Sequence, residues 1–328
     1  MNLEKYQNVG RSGLTNLGNT CFINSCIQIL FHTYELCEYY EKHTLPNTEE
    51  SLLIKELFDL KQLLWSKRCV VSPNRFISVL HDISSKKGAM SFSGFFQNDV
   101  TEFLLFIFEN MHSCFSKFQS NKDIVDSKDI TSICRNYIIT LMKRGEYSKI
   151  TSIFYGIKCT ILVKKEIQIN PELFFIFHLP IPDVPETTLE NCIELYLKDE
   201  MLEGENGLID PVTEKREDIL KKTILCKLPN ILIIDFQRFK MTSGLKKNQC
   251  MIHYDLFLDL TKYVSGEKHN YELYGVINHT GGIYGGHYTS YIKNANKKWY
   301  HYNDNIVKEA STQEICSTKS YCLFYRRI

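Results

Sequence analysis

The spacing of apolar residues changes once along this chain, and that change limits the folds open to it. Over the first hundred or so positions they recur every three or four residues. Phe22, Ile23, Cys26, Ile27, Leu30 and Phe31 form one such series, and 52–65 and 101–111 form two more. That spacing puts apolar side chains on one face of a helix. Beyond residue 150 the apolar residues gather into short β-branched or aromatic runs, at 174–179, 231–236, 254–260, 271–276, 287–292, 298–302 and 321–325, bounded by Gly, Pro, Asn or Asp. Runs of this kind read as strands. A helical lobe followed by a mostly antiparallel sheet lobe predicts an α+β fold, with any site in the cleft between the lobes. Of the remaining segments, 116–129 is polar and reads as loop, 130–143 as a further helix, and 202–218 as an exposed loop or strand tip.

Charge and cysteine usage narrow the class. Lys and Arg number 39 against 38 Asp and Glu, a formal net charge of +1, so no global field recruits nucleic acid or an anionic membrane and neither is an expected partner. The longest apolar stretches, 173–179 and 231–234, fall far short of the roughly 20 residues of a membrane helix. The first ten residues hold Asn, Glu, Lys and Gln around no apolar core, which predicts no secretory signal and an intracellular protein of cytoplasm, nucleus or both. Twelve cysteines lie scattered over 328 residues without paired spacing. They are expected to be reduced and mostly buried. The Asn278-His279-Thr280 match to a glycosylation signal is then fortuitous.

Two segments carry the chemistry. In Gly13-Leu14-Thr15-Asn16-Leu17-Gly18-Asn19-Thr20-Cys21 the helical period starts at about Cys21, which places this thiol at a helix N-terminus, where unpaired N–H groups and the dipole favour a thiolate. A candidate base follows Gly285-Gly286. His287 opens an alternating strand, 293–297 supplies a turn, and a second strand runs to Asn303. A turn centred on Ala295 pairs 291 with 299 and 287 with 303, so the Asn303 carbonyl would accept a hydrogen bond from His287 Nδ1–H. Register decides the third member. A one-residue slip substitutes Asp304 for Asn303, a charge for a neutral dipole. Cys, His and an orienting amide together suit acyl transfer to a thiolate, which needs no cofactor.

At these residues the sequence resembles the ubiquitin-specific proteases, a family of cysteine-dependent deubiquitinases. The family's Cys box is matched by 13–25 and its His box by 285–304. Gln97-Asn98-Asp99-Val100-Thr101-Glu102-Phe103-Leu104, Leu228-Pro229-Asn230 with Gln237-Arg238-Phe239, and Tyr321-Cys322-Leu323-Phe324-Tyr325 resemble further family segments. The resemblance runs from about residue 12 to the C-terminus. It implies a papain-like fold of right-hand architecture, with residues 1–12 an N-terminal extension and 13–328 one catalytic domain. Within it, about 13–115 form a helical thumb, about 116–150 a polar and helical insertion, and about 151–328 the palm and fingers. It implies Cys21 as nucleophile, His287 as general base and acid, Asn303 as third triad member, Asn16 as oxyanion donor and Asp304 as a supporting acid. Gln97, Asp99 and Glu102 are implied to contact ubiquitin. Asp99 and Glu102 fall three apart on a predicted helix and hence on one face, which suits a basic peptide tail. Gly285, Gly286 and Tyr288 are implied to enclose the Gly-Gly end of ubiquitin.

The resemblance fails at one place. Many members hold a structural zinc ion in the fingers through two CxxC pairs, and here those positions fall near Val163 and Glu166 and near Asp210 and Thr213, none of which is a thiol. Cys159, Cys192, Cys226 and Cys250 are dispersed in sequence, so no metal is expected. The implied activity is thiol-dependent hydrolysis after the C-terminal Gly-Gly of ubiquitin, by a monomer acting on ubiquitinated proteins. Three rivals remain: a protease for another ubiquitin-like modifier, a catalytically silent ubiquitin-binding scaffold of the same fold, and a Cys-His-Asn acyltransferase on small molecules.

Overall fold

The computed structural model describes residues 3–115, 117–127, 129–163, 167–209, 215–242, 244–264, 268–282 and 285–328. Five helices fill the first lobe: α1 (Cys21–Phe31), α2 (Tyr34–Lys42), α3 (Glu49–Ser66), α4 (Asn74–Lys86) and α5 (Val100–Cys114). Their starts follow from local chemistry. Thr48 and Ser51 exchange side-chain and backbone hydrogen bonds in a capping box that begins α3, and the Asp99 carboxylate accepts from Thr101 N to begin α5. Helix α1 differs from the others because all eleven of its residues are buried, as expected of a helix enclosed on every side.

The enclosure comes from a sheet whose strands run, in order, Ile306–Ala310, Trp299–Asn303, Gly285–Lys293, Asn270–Gly282, Ser320–Arg327, Ile231–Phe236 and Ile176–Leu179. Only the last pair is parallel. Ile231–Phe236 is buried along its whole length and feeds two cores. Ile231 and Ile233 pack with the helical lobe, while Leu232, Ile234 and Phe236 pack with α8 (Leu189–Leu197) on the far side. A strand covered on both faces reads as a continuous apolar run, which is why it was legible in the sequence. Where α1 crosses the sheet, Gly275 leaves room for Ile29, which would lie 3.2 Å from an added Cβ.

A second, four-stranded antiparallel sheet, in the order Ile167–Phe174, Gly156–Val163, Ile219–Lys227 and Glu200–Leu202, projects as the fingers. Two of these strands, Gly156–Val163 and Ile219–Lys227, escape a reading from apolar runs because lysines and threonines alternate through them on a half-exposed sheet. Of the family's zinc positions, Val163 ends a strand, and Glu166, Asp210 and Thr213 lie outside the described residues. The insertion forms α6 (Ile130–Lys143), which packs on the fingers sheet, and the following α7 (Lys149–Phe154) packs in the main core. Residues 3–12 lie against the helical lobe, with the Tyr6 ring stacked on Tyr34 at 4.6 Å and the Gly10 carbonyl accepting from Tyr302 OH. Asn278 is buried in a central strand, out of reach of a glycosyl donor.

The two lobes come close at Gly13. A Cβ added there would lie 2.4 Å from the carbonyl oxygen of Asn305, a backbone that cannot swing aside. Gly13→Ala is therefore expected to destabilise the fold by about 1–3 kcal/mol, as overpacking does. The check is a thermal melt, and an unchanged melting temperature would mean that the two segments separate without cost.

Candidate active site

The thiol is set by a loop that folds around one amide. Asn16 Oδ1 accepts from Gly18 N (3.0 Å), Thr20 N (3.2 Å) and Thr20 Oγ1 (3.3 Å), and Leu17 N donates to Thr20 Oγ1 (3.0 Å). Gly18 and Asn19 take positive φ values of 101° and 55° to make the turn. Glycine adopts that conformation freely and asparagine tolerates it. The chain then enters α1 at Cys21, which is buried. Position alone predicts a stabilised thiolate, and here the structure corrects the sequence reading. Burial pushes the Cys21 thiol above its ordinary value, and the Asp304 charge adds to the rise. The backbone N–H groups of Tyr288, Phe22 and Cys21 pull the other way without cancelling it. A helix terminus offers roughly 0.3–1 kcal/mol to a charge, less than desolvation takes away.

The base sits on the predicted hairpin in a different register. Ser290 pairs with Tyr302, Tyr291 with His301 and Lys293 with Trp299, so the turn centres on Asn296 rather than Ala295. The reason is the turn itself, where Asn294 N donates to Lys298 O and Lys297 takes a φ of 65°. A shift of two in the pairing sum keeps every side chain on its face, whereas a shift of one would invert them. His287 and Asn303 therefore remain on one face as diagonal rather than direct neighbours, within reach of each other's side chains. His287 Nε2–H donates to Asn303 Oδ1 at 2.7 Å. This too revises the expectation, which assigned Nδ1 to the amide. Nδ1 is thereby left as the free nitrogen of the neutral ring. Among the described residues no hydrogen bond joins His287 to Cys21.

Asp304 takes a separate position. It sits in the turn between Asn303 and Ile306 with a φ of 48°. Its Oδ2 accepts from Asn16 Nδ2 at 2.9 Å and its Oδ1 from Asn24 Nδ2 at 2.8 Å, while Oδ2 stands 4.0 Å from His287 Nε2. The Asp304 carbonyl also accepts from Leu14 N. Asn24 was not singled out in the sequence, although an asparagine one turn past Cys21 in a mostly apolar helix was a readable signal.

A cleft of about 240 Å³ opens beside Cys21, bordered by Asn19, Gln97, Asp99, His279, Gly286 and Tyr288. Gln97 spans it, accepting from Gly286 N at 3.0 Å through Oε1 and donating to Asn19 Oδ1 at 3.2 Å through Nε2. Asp99 is not on a helix face with Glu102, as expected from spacing. It is the N-cap of α5, with Oδ1 accepting from Thr101 and Oδ2 from Tyr321 OH, while Glu102 is exposed in the first turn. Tyr288 is buried, its ring 4.6 Å from that of His279. His279 was another omission. Buried and facing the Lys247 ammonium, it is held neutral, its value lowered to about 4. It also accounts for Gly286, where an added Cβ would fall 2.1 Å from His279 Nε2. Gly285 has no such constraint, its nearest neighbour being Gln97 Oε1 at 3.5 Å.

Because burial and Asp304 both raise the Cys21 thiol, alkylation of Cys21 by iodoacetamide, followed residue by residue by mass spectrometry, should show a midpoint above the ordinary value of 9.0. Asp304→Asn should lower that midpoint. A midpoint below 8 in the unsubstituted protein would contradict the balance of burial over dipole.

Comparison with known proteins identifies the family. The family described as ubiquitin carboxyl-terminal hydrolase matches residues 12–325. Relatives include ubiquitin carboxyl-terminal hydrolase 2 of Homo sapiens, 30% identical over 96% of this chain and 55% of its own length. Usp2 of Drosophila melanogaster is 29% identical over 97% of this chain and 35% of its own. The chain thus spans about a third to just over half the length of the curated relatives it matches. Among solved structures, the SAGA Ubp8/Sgf11/Sus1/Sgf73 DUB module bound to ubiquitin aldehyde superposes with a TM-score of 0.75, at 21% identity over 98% of this chain and 70% of that one. That likeness establishes the fold, a helical lobe against a β palm with β fingers. With its family match running over nearly the whole chain, this chain belongs to the ubiquitin carboxyl-terminal hydrolase family.

Proposed function

We propose that the chain is a deubiquitinase, a thiol hydrolase of the isopeptide or peptide bond after the C-terminal Gly-Gly of ubiquitin. The observation that carries the reading is the 2.7 Å hydrogen bond from His287 Nε2 to Asn303 Oδ1, which fixes the imidazole as the tautomer with a basic Nδ1. The Cys21 thiol is neutral at rest, so it must pass its proton to His287 Nδ1 as it attacks the glycine carbonyl, once the imidazole comes within hydrogen-bond reach. The negative oxygen that forms is met by the second N–H of Asn16 Nδ2, whose first is held by Asp304. His287 then protonates the leaving amine, and water, deprotonated by the same imidazole, hydrolyses the thioester.

Ubiquitin as the modifier is supported by matched structures bound to monoubiquitin and ubiquitin aldehyde. Phe95 and Phe96, both exposed next to Gln97, offer apolar contact to a protein at the mouth of the cleft, and exposed Glu102 offers a charge to a basic tail. Asp99 acts as a fixed negative charge in the cleft floor. Gln97 must exchange its bond to the Gly286 backbone for the incoming tail. A reducing compartment, cytoplasm or nucleus, belongs to the same proposal, since all twelve cysteines are free thiols and Cys21 must be reduced to act.

Intact mass spectrometry after incubation with ubiquitin carrying a C-terminal thiol-reactive group is the test. An adduct of one ubiquitin is expected on the unsubstituted protein and none on Cys21→Ala. Folded, reduced protein that forms no adduct would overturn the proposal, and probes built on other modifiers with a Gly-Gly end would then show whether a different one is used. For turnover, Asn16→Ala should lower kcat by roughly 100-fold or more with KM little changed, the signature of a donor felt only in the transition state. A loss confined to KM would remove Asn16 from the oxyanion site.

A further inference from the structure

Three cysteines that are far apart in sequence meet where the insertion packs on the fingers. Cys159 lies in Gly156–Val163, Cys226 in Ile219–Lys227, and Cys134 in α6. Their sulfurs all fall within 4.8 Å of one another, with Cys134 to Cys159 at 3.6 Å and Cys159 to Cys226 at 3.2 Å. This corrects the reading of Cys159 and Cys226 as dispersed. It leaves Cys192 and Cys250 outside the cluster. A β-bulge makes the meeting possible. The ladder slips between Leu225, opposite Lys158, and Lys227, opposite Ile157, so Cys226 is the extra residue and is aimed at Cys159.

We propose that Cys134, Cys159 and Cys226 form a structural site for a thiophilic divalent cation, zinc by preference, that ties the insertion helix to the fingers sheet. The edge lengths suit the task. With zinc–sulfur bonds of about 2.3 Å in tetrahedral geometry, adjacent sulfurs stand about 3.8 Å apart, so the two shorter edges, at 3.6 and 3.2 Å, need to open by no more than about 0.6 Å for the trio to form one face of a tetrahedron. The fourth corner belongs to water. Cys134 and Cys226 border a cavity of about 870 Å³ that opens next to the trio. Binding converts three thiols and one divalent cation into a complex of net charge −1 and releases three protons to solvent. The cavity wall matches that charge, carrying Lys117, Lys122, Arg135 and Lys227 and, among the described residues, no acidic side chain.

A disulfide between Cys159 and Cys226 is the competing use of these sulfurs, but it would leave Cys134 unused and needs an oxidant. The site stands four residues along its strand from Val163, and its sulfurs come from segments 25 and 67 residues apart.

The full chain, purified reduced and metal-free, should take up one Zn²⁺ when Zn²⁺ alone is added, measured by elemental analysis after gel filtration. Co²⁺ should give a sulfur-to-cobalt charge-transfer band of three-thiolate intensity, retained in Cys21→Ala so that the active-site thiol is not counted. Cys134→Ser and Cys226→Ser should each weaken Zn²⁺ affinity by on the order of 100-fold or more, beyond the cost of losing a mere supporting partner. Cys192→Ser, a buried cysteine elsewhere, should not. Should Cys134→Ser fail to fold, Cys226→Ser and the cobalt spectrum of the unsubstituted protein decide the matter. Less than half an equivalent of bound Zn²⁺, a cobalt band unchanged in either cluster variant, or a metal-free chain two hydrogens light with Cys159 joined to Cys226 would each overturn the proposal.

Discussion

The two lobes are held in working alignment by one carboxylate. Asp304 stands in a tight turn of the sheet lobe, and its two oxygens accept from Asn16 and Asn24 of the helical lobe, 288 and 280 residues away in sequence. Its backbone carbonyl accepts from Leu14, and the adjoining Asn305 backbone presses on Gly13. Hydrogen bonds to a charged acceptor are worth roughly 1.5–3 kcal/mol each. Two of them from opposite ends of the Cys21 loop fix that loop relative to the hairpin bearing His287 and Asn303. The same charge helps to raise the Cys21 thiol. One group thus aligns the lobes and adds to the burial that raises the Cys21 thiol.

Around this clamp the fold keeps the nucleophile dry. Helix α1 is buried on all sides between its companion helices and the sheet, and its first residue is Cys21. Burial that secures the helix also opposes ionisation of its thiol. In the proposed reaction the imidazole therefore accepts a proton during attack, and its anchoring through Nε2 leaves Nδ1 for that role. Gln97 bridges Asn19 and Gly286 across the cleft, so entry of a peptide tail and rearrangement of the cleft are coupled steps.

Away from the cleft, the fingers are built by different means. Their sheet is half exposed and interleaved with lysines, and α6 covers part of one face through Ile130, Tyr137, Ile138 and the cysteine trio. The insertion, polar and without an assigned role from sequence, acquires one as the cover of that sheet. Nothing in the local sequence of Cys134, Cys159 or Cys226 marks them as a group. Their proximity depends on strand pairing and on the bulge at Cys226.

What the sequence determined by itself was whatever rests on local periodicity and on contiguous motifs. The period change foretold the two lobes, Ile231–Phe236 was readable as a strand, and 130–143 was readable as a helix. The Cys21 loop and the His287 hairpin were both recognisable as units. Only the tertiary structure decided the quantities that depend on two distant segments at once. The hairpin register followed the hydrogen bonds of the turn at Asn296, and the choice of Nε2 over Nδ1 followed that register. Asp99 became a helix cap bonded to Tyr321 rather than a free surface acid. The Cys21 thiol rose because desolvation, set by everything packed around it, outweighs a dipole that is legible from position alone. Asn24, His279 and the cysteine trio were hidden for the same reason: hydrogen bonds and sulfur contacts across hundreds of residues leave no periodic trace in the chain.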